Sequence, residues 1–387
     1  MSNAIGPLTP LTRVPGFTEA LRVRLGDYWI TTAEEFAATA RLSNARHGDG
    51  LTALGVTLGL DPVRMQGLYQ ACETASPRAS AYAALTELDV GAGLILEDRP
   101  PELGLDFAPP VDLPSEALIP TLPPILDQGR RNTCVAFTIA AMYQILTGDF
   151  RRLSEQFLFW ACKQLDQMPN DARGTRPSAA ITAMKQYGVC LHEEWPYVPE
   201  PVAGTVGQGP PPAQALAAAL TRRASGGSLR SNRSPAVREV LAQGRPVLLG
   251  LPIYQFWHDS GQARHGGRVR RPLDGEDRIG GHAVCAIGYR DDPEAPGGGS
   301  IIFRNSWGVA WGDESPDGIG TGYVPYEVVD QENAYAYVLD SRLGSAPAVP
   351  KQATGSLIAE ARAGLVRAQA EIAHLAELLR RIEGGER

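Results

Sequence analysis

Cys134 stands where a polar, glycine-bearing loop, Asp127-Gln128-Gly129-Arg130-Arg131-Asn132-Thr133, gives way to apolar text that continues through Phe137, Ile139, Met142, Ile145 and Leu146. That change predicts a helix opening at the cysteine, where free N–H groups and the helix dipole favour the thiolate over the thiol. Acyl transfer by such a sulfur needs three further parts: a base that later protonates the leaving amine, a group that orients the base, and donors for the oxyanion. His282, at the start of the apolar run Ala283-Val284-Cys285-Ala286-Ile287, is the candidate base. Asn305 can accept the second imidazole N–H through its side-chain carbonyl. Gln128, six residues before the cysteine, can turn its amide N–H toward the same place, with the Cys134 backbone N–H as second donor. A cysteine and a histidine facing each other across a groove should rest as thiolate and imidazolium. This reading requires a sulfur that is neither entombed nor far from the ring.

Several segments carry a resemblance. Gln128 through Thr133-Cys134-Val135-Ala136-Phe137, then Leu153-Ser154-Glu155-Gln156, then Tyr187-Gly188-Val189 with Trp195-Pro196-Tyr197, are followed by Gly281-His282-Ala283-Val284 with Ile287-Gly288-Tyr289. Asn305-Ser306-Trp307-Gly308-Val309-Ala310-Trp311-Gly312 and Gly322-Tyr323 complete the set. In this order they resemble the papain family of cysteine peptidases over most of residues 124 to 340. The resemblance implies an α+β, two-lobed fold with a helical left lobe and an antiparallel, barrel-like right lobe. It implies catalytic roles for Cys134, His282, Asn305 and Gln128, a substrate cleft bordered by Gly174, Gly280, Gly281 and Trp307, and a protein or peptide substrate. It also exposes departures. Arg131 stands where secreted relatives have a half-cystine, and Val135 where they usually carry tryptophan. The stretches 291 to 299 and 315 to 321 lengthen two loops, and the paired glycines before the base leave one pocket wall open.

The elements that must position these residues follow from local pattern. Residues 1 to 78 read as a small helical unit with a helix-hairpin-helix-like start, because Thr31-Thr32-Ala33-Glu34-Glu35 offers capping boxes and Asp61-Pro62 an N-cap followed by proline. Leu21, Leu25, Phe36, Leu51, Leu54, Leu58, Leu60 and Leu68 would form its core. Residues 79 to 123 are proline-rich, a linker or a segment covering the cleft. The catalytic domain spans 124 to 345, with helical text from Cys134 to Tyr187 and strands at 246 to 252, 282 to 289, 300 to 303 and 334 to 339; 201 to 234 reads as a flexible insertion. Residues 356 to 383 carry apolar heptads that suit either a coiled coil or a helix packed on its own domain.

Composition limits the alternatives. In 387 residues, 36 basic and 43 acidic side chains give a net charge of -7, which disfavours nucleic acid as the main partner. The opening residues lack the charged-then-apolar order of a secretory signal, and no stretch is suited to span a bilayer. Five widely spaced cysteines give no disulfide framework and no metal pairs. His47, His192, His258, His265 and His374 show no ligand spacing, and no cofactor motif is present. The expectation is a soluble, cytoplasmic cysteine endopeptidase without metal or cofactor, restrained by an N-terminal unit that recruits a substrate or adaptor, with the C-terminal heptads available for self-association or a partner helix. An inactive scaffold, an isopeptidase and a transamidase are the alternatives.

Overall fold

A computed structural model describes residues 7–83, 89–95, 112–166, 174–200, 209–229, 231–331 and 334–343. The chain divides after Leu343, and the heptads of 356 to 383 lie outside the described residues.

The N-terminal helices are α1 (Glu19–Gly26), α2 (Ala33–Ala40), α3 (Gly50–Leu58), α4 (Pro62–Ala75) and α5 (Arg78–Ala83), with a ribbon of β1 (Ser43–Asn44) and β2 (Gly48–Asp49) before α3. Their starts follow from side-chain chemistry. The Thr32 hydroxyl and the Glu35 carboxylate form a reciprocal capping box, and the Asp61 carboxylate accepts the Arg64 N–H ahead of Pro62. Leu21, Leu25, Phe36, Leu54, Leu58 and Leu68 are buried together as expected, whereas Leu51 and Leu60 only pack partly against them. The boundary expected at residue 78 is not a division, because α5 runs across it and residues 1–343 form one compact unit. The reason is a set of polar ties. The Arg268 guanidinium donates to Glu35 Oε1 at 2.5 Å and lies 4.1 Å from the Trp29 ring centre, Gln262 Nε2 donates to the Trp29 carbonyl at 3.0 Å, and Arg46 pairs with Asp274 at 2.6 Å.

After a short strand, β3 (Glu116–Leu118), three helices build the first catalytic lobe: α6 (Cys134–Thr147), α7 (Glu155–Leu165) and α8 (Pro177–Gln186). Then follow α9 (Ala213–Ala219), β4 (Arg223–Ser228), α10 (Ser234–Ala242), β5 (Val247–Tyr254), α11 (Phe256–Asp259), α12 (Gly261–Arg264) and β6 (Arg278–Asp291). The last elements are β7 (Gly299–Arg304), β8 (Thr321–Pro325), α13 (Tyr326–Gln331) and β9 (Tyr335–Leu343). The sheet runs β4-β9-β5-β6-β7-β8, every pair antiparallel, with β3 also on β6. Helices first and antiparallel strands afterwards make an α+β fold of two lobes.

Three strands differ from the sequence reading. β3 falls inside the expected linker of 79 to 123, so the sheet begins before residue 124. β4, Arg-Ala-Ser-Gly-Gly-Ser, lies within the expected flexible insertion, and β8 begins where the expected 315 to 321 loop ends, outside the strands the sequence predicts. β4 has no strand propensity of its own; Gly226 is required because a methyl group there would sit 2.3 Å from the Val338 carbonyl oxygen of β9.

Glu35 serves both the cap of α2 and the tie to Arg268, and it is almost fully buried. Replacing it by alanine should lower unfolding free energy by about 2 kcal/mol, the order of a lost cap combined with a broken, partly buried ion pair. Urea denaturation of the full chain checks this, and a change below about 0.5 kcal/mol would show the ties to be ornamental.

Candidate active site

Cys134 is the first residue of α6, preceded by Thr133, whose side chain caps nothing, so the helix N–H groups are left for other partners. His282 lies on β6 opposite Leu251 of β5, in the buried centre of the sheet. A side-chain bond joins the two elements: Thr138 Oγ1, one turn into α6, donates to the Ala283 carbonyl at 3.1 Å. Cys134 Sγ in turn accepts from the Ala283 N–H at 3.4 Å, which places the sulfur against the residue next to the histidine.

Asn305 and Gln128 come from two loops zipped together. The Gln128 N–H donates to the Ser306 carbonyl at 2.9 Å, the Gly308 N–H to the Leu126 carbonyl at 3.1 Å, and Ser306 Oγ to Gln128 Oε1 at 2.6 Å. With its carbonyl oxygen so engaged, the Gln128 side chain must direct its N–H₂ to the other side. Asn305 Oδ1 lies 2.8 Å from His282 Nε2 and also accepts the Ser306 N–H, so Nε2 carries the proton and Nδ1 is the free base position. Trp307 stacks on the imidazole with ring centres 4.5 Å apart, covering the His282–Asn305 bond.

The four candidate catalytic residues thus converge, but the sulfur is not accessible. Residues Val90 to Ile95 run through the cleft as a strap with each N–H from 91 to 95 engaged. Gly91 donates to the Gly129 carbonyl (3.0 Å), Ala92 to Asn132 Oδ1 (3.0 Å), Gly93 to Cys134 Sγ (3.3 Å), Leu94 to the Gly281 carbonyl (2.9 Å) and Ile95 to the Thr175 carbonyl (3.0 Å). The Gly91 carbonyl accepts from Gln128 Nε2 at 2.9 Å and Trp307 Nε1 at 3.2 Å, and the Gly93 carbonyl from the Thr175 N–H at 3.0 Å. Three of the four expected cleft residues, Gly174, Gly281 and Trp307, therefore touch the strap. At Gly174 (φ +97°) an added methyl would lie 1.9 Å from the Gly93 carbonyl oxygen, whereas at Gly280 it would meet nothing within 4 Å.

Burial corrects the expected protonation state. With water excluded, the Cys134 thiol is pushed up to about 11, against the pull of the N–H donors at Ala283 and Gly93. The His282 imidazolium is disfavoured in the same way, its pKa lowered to about 3 by burial despite the Asn305 bond, with His258 adding repulsion. His282 Nδ1 is buried without a hydrogen-bond partner among the described residues. In this covered state the pair is neutral thiol and neutral imidazole, and the sulfur is entombed by a segment of the chain laid across the cleft. The strap lies within residues 79 to 123, the stretch read from sequence as a linker or a segment covering the cleft.

The family is fixed by comparison with known sequences, where the model of the papain family of cysteine proteases matches residues 112–323, more than half of the chain. The chain belongs to the papain family. It is 27% identical over 231 residues to an uncharacterised peptidase C1-like protein of Acanthamoeba polyphaga mimivirus, covering 56% of this chain and 69% of that one. It is 26% identical to caricain of Carica papaya over 199 residues, 49% of this chain and 50% of caricain. Xylellain, a cysteine protease from Xylella fastidiosa, shares the fold with a TM-score of 0.56 at 24% identity, over 66% of this chain and 98% of that one. The papain-like protein is thus a cysteine-type peptidase by family, with its matched region beginning just before β3.

Two features of this family member had no signal of their own. Arg131, in place of a half-cystine, braces the loop before the nucleophile: it donates to Gln156 Oε1 at 2.6 Å and the Val198 carbonyl at 3.0 Å, and its guanidinium faces the Phe159 and Tyr197 rings. His258 packs edge-on against Trp307 at 4.8 Å, beside the His282 ring. Elsewhere His265 meets Asp313 at 2.9 Å, while Arg78 holds the neighbouring Glu314 at 2.6 Å; this is an ion-pair cluster far along the chain from the cysteine.

Because covering depresses the His282 pKa, the closed state binds fewer protons than one opened to an imidazole without a thiolate partner, so against that reference its stability is whole above about 6.5 and is lost as pH falls toward about 3. The raised Cys134 value works oppositely, full below about 9 and lost as pH rises toward about 11. Amide hydrogen exchange at Gly93 and Ala283 of Cys134→Ala, in which no thiolate pairs with the opened imidazole, corrected for intrinsic rates, should show protection that is flat near neutrality and falls below pH 6 by up to about 1.4 kcal/mol per unit. Protection unchanged down to pH 4 would show that the histidine is not held neutral by the strap.

Proposed function

We propose that the protein is a latent endopeptidase that hydrolyses protein substrates through an acyl-enzyme on Cys134 once the Val90–Ile95 strap leaves the cleft. The observation that carries this reading is the Gly93 N–H donated to Cys134 Sγ: the strap offers the sulfur a proton donor and no carbonyl carbon, so it occupies the site without being attacked. In the opened site Cys134 and His282 would share a proton as an ion pair, water having returned to solvate it. The thiolate attacks the scissile carbonyl, whose oxygen takes the Gln128 Nε2 donor now spent on Gly91 and the Cys134 N–H. His282 Nδ1 then protonates the leaving amine and afterwards takes a proton from the water that releases the acyl group, while Asn305 keeps the ring in place.

Restraint by the N-terminal region is read as occlusion in preference to recruitment, since the helical unit is spent on ties to the catalytic lobe through Glu35, Trp29 and Arg46. An intracellular setting is part of the proposal, supported by five cysteines that are all free thiols and all buried. Isopeptide cleavage or transfer to an amine would use the same residues.

The test is proteolysis of an unfolded protein and alkylation of Cys134 by iodoacetamide, with the full chain and with Gly93→Val. A side chain at residue 93 would begin 2.0 Å from the Asn132 carbonyl oxygen, so the variant should release the strap and raise both rates at least about tenfold. Cys134→Ala and His282→Ala in that background should abolish proteolysis. Equal rates in the two parent proteins would remove the latency, and no alkylation in either would leave only a silent scaffold. Product analysis with an added amine separates hydrolysis from transfer.

A further inference from the structure

Asn305 borders not only the imidazole of His282 but also a cavity of about 40 Å³ between α6, the 123–126 segment and the end of β7, enough for a few water molecules or one ion. The walls are mostly apolar, with Ile125, Phe137, Ala141 and Ile145 among them. Three of the polar groups are committed elsewhere: Thr138 Oγ1 donates to the Ala283 carbonyl at 3.1 Å, Gln144 Nε2 to the Arg151 carbonyl at 2.9 Å and Ser306 Oγ to Gln128 Oε1 at 2.6 Å. Two others still have hydrogen to give. Asn305, 5% exposed, spends its carbonyl oxygen on His282 and the Ser306 N–H, while its Nδ2 is buried with no hydrogen-bond partner among the described residues. Arg304, paired with Cys285 across β6 and β7, meets no carboxylate among the described residues; its guanidinium donates to the Ile319 and Pro123 carbonyls, each at 3.4 Å, near the outer limit of a hydrogen bond. Burial works against that guanidinium charge, and the described residues lining the cavity include no acidic side chain to offset it.

We propose that this cavity binds a halide-sized monovalent anion, held by Asn305 Nδ2 and the Arg304 guanidinium. A water molecule would satisfy the amide but leave the guanidinium without a counter-charge. A multivalent anion would bring more charge than one guanidinium offsets, and a hydration shell that apolar walls cannot replace. A single weakly hydrated negative charge meets both donors at once. Its effect would pass through the asparagine. An anion accepting from Nδ2 keeps the amide turned with Oδ1 on the imidazole, and polarises it so that Oδ1 accepts the His282 Nε2 proton more strongly. Once the strap has left, that favours the imidazolium that pairs with the thiolate. The anion is thus a positioning ligand, and the inference rests on the peptidase reading only for this effect on rate.

Thermal unfolding of the full chain, titrated with sodium chloride against sodium gluconate at equal ionic strength, tests the site without reference to activity, because gluconate is too large for the cavity. Chloride should raise the midpoint saturably, by at least about 2 °C more than gluconate. Arg304→Gln, which removes the charge, and Ala141→Leu, which fills the cavity and leaves both donors in place, should each abolish that difference. A difference that survives in either variant is a general salt effect and overturns the site, as does its absence from the parent protein. Crystals grown in bromide should show anomalous density between Asn305 and Arg304; water alone there would also overturn it. In Gly93→Val, proteolysis should be at least about threefold faster in chloride than in gluconate, and Arg304→Gln in that background should equalise the two. Equal rates with chloride bound would overturn the link to Asn305. No proteolysis in either salt would sink the peptidase reading, while the unfolding comparison would still decide the site.

Discussion

The exclusion of water from the Cys134–His282 pair governs everything else about this molecule. A thiolate and an imidazolium stabilise each other only where their remaining charge can be solvated or met by dipoles; beneath the strap the new donor among the described residues is one N–H from Gly93. Neutral thiol and neutral imidazole are therefore the covered form, and in the proposed reading the chemical competence of the site is set by where six residues of main chain lie. No candidate catalytic side chain needs to be displaced: Asn305 already holds the ring and Gln128 already points its donor into the cleft.

The proposed switch needs a rigid frame. The glutamine and asparagine loops are zipped through Ser306, and the helix of the nucleophile is bonded to the strand of the base through Thr138. Where a half-cystine would staple the loop before the nucleophile, Arg131 does so with two hydrogen bonds and two aromatic faces. A guanidinium brace suits a chain whose five cysteines are all unpaired, because it is indifferent to redox poise.

The site was legible in the sequence because each of its parts is announced locally: a helix start at Cys134, an apolar strand after His282, a glycine-and-tryptophan turn after Asn305. The strap was not. Val-Gly-Ala-Gly-Leu-Ile has no motif and too little side chain to declare a preference, and its conformation is dictated by the groups it meets. What signal there is lies in its alternation: glycine at 91 and 93, where the cleft walls are closest, and leucine at 94, where Gly250 leaves room. β4 was hidden for the same reason, its glycines fitting the β9 backbone while advertising a loop. The domain boundary near residue 78 failed because polar ties such as Arg268 to Glu35 join residues more than two hundred positions apart, a distance over which no local pattern speaks.

The strap's hold is modest when its terms are weighed. Five engaged N–H groups contribute about 1 kcal/mol each, and burial of one leucine adds about 2. Fixing six residues of backbone costs about 1 to 2 kcal/mol apiece, and covering a potential ion pair forfeits whatever that pair would gain in water. The balance lies within a few kcal/mol of zero, so the closed state is poised and needs both ends anchored to persist. The upstream anchor is the helical unit, and α5 shows why it must be fixed to the catalytic lobe: a methyl group on Gly261 of α12 would meet the Tyr82 carbonyl at 2.1 Å, so the chain leaves for the strap pressed against the lobe it covers. Slack at that point would lower the effective concentration of the strap over the cleft, and a segment with so little affinity of its own would then lose the sulfur to any peptide able to take its place there.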